Sequence, residues 1–97
     1  MSHALVDPPT PPLLDEQTAR ANADALHRVA AEYGITALRF ASPGRLVGHM
    51  DDDRDMGDMV DFQLAVEDLL DRYIDLFTDR VLSHPHASPD LVAARPL

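Results

Sequence analysis

RLVGHMDDDRDMGDMVDF, residues 45–62, passes from a short apolar run through five consecutive charged residues into a segment with helical apolar spacing. Leu46, Val47 and Met50 form a short apolar run suited to a buried strand. The next five residues, DDDRD at 51–55, are all charged, and burying them in a sheet would require compensation such as a bound metal. The strand therefore ends at Met50, and the acids form a solvated connector. Asp55 then caps a helix, with Asp58 three residues on as a variant of the capping box. Acids near this first turn also suit the positive end of the helix dipole. Met59, Phe62, Val66, Leu69, Leu70 and Tyr73 follow at helical spacing.

The flanking segments extend this reading. Upstream, ITALRFA at 35–41 alternates Ile35, Ala37 and Arg39 with Thr36, Leu38 and Phe40, a strand pattern. SPG at 42–44 is a turn signal, so this strand and RLVGHM form a hairpin. Residues 14–34, LDEQTARANADALHRVAAEYG, predict the first helix. Asp15 caps it, Ala19, Ala23, Leu26, Ala30 and Tyr33 line one stripe, and Gly34 stops it. His27 borders that stripe. Downstream, IDLFT at 74–78 is a third strand, SHPHASP at 83–89 a loop, and DLVAARPL at 90–97 a short helix or docked tail.

A helix joining strands two and three makes a crossover, so those strands are parallel if paired. The expectation is an α+β, α/β-like domain over residues 14–97: a small three-stranded mixed sheet with two main helices packed on it. Residues 1–13, MSHALVDPPTPPL, carry four prolines and read as a disordered or extended tail, with a polyproline interaction segment as the alternative.

The 97-residue chain has 17 acidic and 8 basic residues, a net charge of −9. All the basic residues are arginine, which excludes a P-loop lysine and Schiff-base chemistry. With no cysteine, neither disulfides nor thiolate metal sites are available. The acidity disfavours nucleic acid as a partner and suits a basic protein or a divalent cation. No apolar run reaches the roughly 20 residues of a membrane span. The N-terminus lacks a basic region followed by an apolar one, so a cytoplasmic location is expected.

YGITALRFAS at 33–42, DMVDFQLAVEDLLDRYIDLFT at 58–78 and the closing LVAARPL together resemble the minimal nucleotidyltransferases of the polymerase-beta-like superfamily. The resemblance covers residues 15–97 and implies a nucleotidyltransferase-like core. In that family Gly-Ser ends the first strand, a short helix follows, Asp-x-Asp lies on the second strand and a third carboxylate on the next. Those carboxylates hold magnesium against nucleotide phosphates.

Two registers of this resemblance imply different functions. In one, Ser42 is the motif serine, and Asp53, Asp55 and Asp75 hold magnesium and a nucleoside triphosphate. That register puts Ala41 in place of the glycine, and Pro43 and Gly44 where a helix should start. It also leaves no room for strand two after Asp55. In the other, RLVGHM is strand two, the intervening helix is reduced to the SPG turn, and the catalytic positions fall on Pro43 and Arg45. Asp75 then survives alone, with no catalytic residue, metal or cofactor expected. Packing favours the second, because LVGHM can fill a sheet interior and DDRDM cannot.

Other candidate sites are weaker. Asp51, Asp53 and Asp55 match the first ligand positions of a calcium loop, but Met56 and Phe62 stand where glycine and glutamate are required. His84 and His86 bracket Pro85 without a third zinc ligand, and His49 is equally unsupported. The exposed edges of a small sheet invite association, so a homodimer or a protein partner of basic surface is expected. Met50, Met56 and Met59 offer an adaptable contact or core filling. By the resemblance, the partner would be a HEPN-like protein neutralised in antitoxin fashion.

Overall fold

The computed structural model describes residues 11–97. Its elements are α1 (Glu16–Ala21), α2 (Ala23–Glu32), β1 (Ile35–Ser42), β2 (Arg45–Met50), α3 (Met56–Leu70), β3 (Asp75–Thr78), α4 (Pro89–Val92) and β4 (Arg95–Pro96). A 3-10 helix, Asp79–Ser83, follows β3. No helix among the described residues is long and apolar enough to cross a membrane.

The strands form one mixed sheet in the order β3-β2-β1-β4. β1 and β2 are the antiparallel hairpin expected of the SPG turn, with Ser42 opposite Arg45. β2 and β3 run parallel, as the crossover through α3 requires. The sheet has four strands rather than three. The fourth comes from the chain end, where Pro96 lies opposite Arg39 and Arg95 opposite Phe40. Two residues are too few for an alternating pattern, and proline is tolerated here because β4 is an edge.

The expected first helix is two helices. It breaks at Asn22, whose side-chain amide donates to the Thr18 carbonyl at 2.8 Å. Short polar side chains compete with the helix ladder in this way. Asp15 occupies the N-cap position in extended conformation, but its side chain makes no cap hydrogen bond. Ala19, Leu26 and Ala30 of the predicted stripe are buried. Gly34 ends α2 at φ 73°, and a Cβ there would meet the Arg54 side chain at 2.5 Å. The glycine therefore both stops the helix and lets the acidic connector fold back onto it, tied by the Asp51 N–H donating to the Gly34 carbonyl at 2.9 Å.

Strict alternation fails in β1. The pairing slips between Thr36 and Arg39, and Ala37 sits at φ 54°. This bulge adds one residue, so that Ile35, Leu38 and Phe40 all enter the core. They meet Leu46, Leu76, Leu26, Phe62 and Val66 in one apolar cluster. Val47 and Leu91 are buried outside it. Because side chains alternate along a strand, Arg45 and Val47 of β2 and Asp75 and Phe77 of β3 share the opposite face, where α4 packs.

Within the proline-rich segment, residues 1–10 lie outside the described residues. Residues 12–14 are held in place: the Tyr73 N–H donates to the Pro12 carbonyl at 2.9 Å, and the Leu14 N–H to the Tyr73 carbonyl at 3.1 Å. This passage crosses the hairpin turn, where the Gly44 N–H donates to the Leu14 carbonyl at 2.9 Å. Gly44, at φ 75°, has Leu13 against it, and a Cβ would stand 2.8 Å from Leu13 Cδ2. The turn thus needs glycine for both its backbone angle and its close neighbour.

Candidate functional site

At the hairpin end of the α4 face, Ser42, Arg45 and Asp90 meet, and Asp75 stands in register beside Arg45. Ser42 ends β1, and its hydroxyl donates to Asp90 Oδ2 at 2.7 Å. Arg45 opens β2 and places Nε 3.4 Å from the same oxygen, an ion pair without hydrogen-bond geometry. Its guanidinium carbon lies 4.9 Å from the centre of the Phe77 ring, a cation–π arrangement. Beside it in register, Asp75 opens β3 and accepts the Tyr73 hydroxyl at 2.8 Å.

Local sequence explains each placement. The two-residue turn at 43–44 sets Ser42 opposite Arg45. Parallel pairing sets Arg45 level with Asp75. Ser88 and Pro89 begin α4, with proline at a first-turn position where its missing N–H is harmless. The following residue, Asp90, then reaches the hairpin.

The electrostatics follow from these contacts. The Ser42 hydroxyl holds the Asp90 carboxyl below the ordinary carboxylate range; partial burial opposes it, and the Arg45 charge assists it. The Tyr73 phenol is pushed above its ordinary value, because Asp75 accepts its proton in a hydrogen bond and adds a nearby negative charge.

The residues of the first register do not meet. Ser42 lies at the hairpin turn and Asp75 at the start of β3, whereas Asp53 and Asp55 follow Met50 at the opposite end of β2. At about 3.3 Å per residue, the strand between them is roughly 15 Å long. Asp55 is the N-cap of α3: its Oδ1 accepts from the Gly57 N–H at 2.8 Å, and the Asp58 carboxylate accepts from the Asp55 N–H at 3.2 Å. This is the capping box expected from the sequence. Asp53 is exposed in the connector. Among the described residues no three histidine, aspartate or glutamate side chains stand together as a metal site. Asp53, Asp55 and Asp75 therefore do not fit a shared magnesium ion.

The histidines also fall apart. His84 and His86 are exposed on their loop. His49 pairs instead with Asp79 at 2.9 Å, and nearby Arg80 reaches Asp52 at 3.2 Å. Asp90 is the site residue the sequence reading missed. The only local sign was the Ser-Pro-Asp start of a short helix, which says nothing of the hairpin 48 residues away.

No family model and no curated protein sequence matches the chain. Among solved structures it is similar to one described as "Structure of putative minimal nucleotidyltransferase", with a TM-score of 0.69 and 25% sequence identity over 87% of this chain and 97% of that one. The chain thus has a minimal-nucleotidyltransferase-like fold.

Proposed function

We propose that this chain is a nucleotidyltransferase-like binding module without transferase chemistry, acting in antitoxin fashion on a HEPN-like protein of basic surface. The observation that carries the reading is the pairing of Arg45 with Asp75. In the register where RLVGHM is strand two, Arg45 stands where the fold's catalytic carboxylate would be. An arginine there repels a divalent cation rather than ligating it. Ser42 is likewise committed, its hydroxyl donating to Asp90. These contacts support a reading in which Ser42 and Arg45 serve the cluster with Asp90 rather than a nucleotide.

The net charge of −9 supports the choice of partner, since it draws a basic protein and speeds its encounter. Two measurements test the reading. Incubation with labelled ATP, magnesium and candidate acceptors is expected to give no transfer. Co-expression with the product of the neighbouring gene is expected to recover a complex at low salt. Label transfer that disappears in Asp53→Asn would overturn the proposal, as would failure to recover that complex.

A further inference from the structure

We propose that the outward face of α3 is the docking surface, and that its occupant is a basic amphipathic helix of the partner protein. The proposal rests on the binding-module reading and adds the surface and the chemistry of its ligand. Met56, Val60 and Leu64 are 74%, 48% and 54% exposed. They recur every fourth residue, so they form one ridge on the side of α3 away from Phe62 and Val66, which are buried. A helix that buries one face and exposes a second apolar ridge has a surface to cover.

The rim of that ridge identifies what covers it. At 100° per residue, Glu67 lies along one side of Val60 and Leu64, and Asp61 and Asp68 lie along the other. α3 contains no lysine or arginine. Of the arginines that flank it, Arg54 is paired with Asp58 and Arg72 donates to the Asp71 carbonyl. An apolar ridge flanked by Glu67 on one side and by Asp61 and Asp68 on the other complements a helix with leucine-type anchors flanked by lysine or arginine. A second copy fits less well, because α3 against α3 would set the carboxylate rim of one ridge against that of the other.

The test uses synthetic helical peptides and the full chain. One peptide carries a leucine ridge flanked by lysines, a second has every lysine replaced by glutamate, and a third has the lysine composition with the ridge scrambled. Binding is followed by fluorescence anisotropy. The lysine peptide is expected to bind the chain, and Val60→Ser with Leu64→Ser is expected to weaken it at least tenfold. Asp61→Asn with Asp68→Asn is expected to weaken it and flatten its salt dependence. Asp24→Asn with Glu32→Gln on α2 is expected to leave it unchanged.

Equal binding by the scrambled peptide, or no effect of the Val60 and Leu64 changes, would overturn the proposal. So would a wild-type dimer by sedimentation that Leu64→Ser dissolves, since the occupant would then be a second copy. These substitutions are exposed, and unchanged thermal unfolding checks that the variants fold. The peptide assay uses neither the natural partner nor a nucleotide, which keeps the two proposals separable. A recovered complex that ignores Val60 and Leu64 removes only the docking surface. Ridge-dependent peptide binding without a recovered complex removes only the antitoxin reading.

Discussion

Arg45 and Asp75 open two adjacent parallel strands at the same level, yet each takes a different side-chain partner. Arg45 turns to Asp90 and the Phe77 ring, while Asp75 accepts from Tyr73. At the hairpin end of the sheet, Ser42 and Arg45 are thereby tied to α4 through Asp90.

The first prediction concerns Arg45. Its ion pair and its place over Phe77 are each partly solvated, so each contributes less than a buried contact would. Arg45→Ala is expected to lower stability by about 1 kcal/mol in urea unfolding. An unchanged midpoint would show that the guanidinium does not hold the cluster.

The second concerns acid stability. Asp90 is lowered in the folded state chiefly by the Ser42 hydroxyl. A depressed carboxylate contributes stability above its unfolded value, and that contribution fades as the pH falls through the folded value. Ser42→Ala is expected to move the Asp90 midpoint upward in a carboxyl-carbon NMR titration and to flatten the acid limb of stability. A midpoint that stays in place would remove the hydroxyl as the cause.

The third lies at the alkaline end. The Tyr73 phenol is raised by Asp75, so the folded state favours its neutral form. That stability is present in full below the unfolded value of about 10 and is lost as the pH rises through the folded one. Asp75→Asn is expected to bring the phenolate absorbance transition back toward about 10. An unaltered transition would assign the shift to another source.

The fourth separates two acids two residues apart. Asp55 caps α3 through two N–H groups, whereas Asp53 is exposed in the connector. Asp55→Ala is expected to cost about 1 kcal/mol. Asp53→Ala should stay within about 0.5 kcal/mol. Equal losses in thermal unfolding would contradict the division between cap and connector.

Much of the scaffold was legible in residue order. Apolar Leu46–Met50 against charged Asp51–Asp55 located the end of β2 and the start of α3, because burial and capping depend on residues close together in the chain. The Ser-Pro-Gly turn and the length of α3 then implied an antiparallel hairpin and a parallel third strand. The break at Asn22 and the bulge at Ala37 were not legible. Each departs from a regular period, and periodicity was the signal being read.

The candidate site divides in the same way. By themselves, the residues of this chain determined which segments could be buried, and so pushed Asp53 and Asp55 out of the sheet. That β4 closes the β1 edge and that Asp90 reaches Ser42 follows only from the folded chain. Those contacts join segments 48 or more residues apart, and their geometry depends on the path of the whole chain rather than on any local preference.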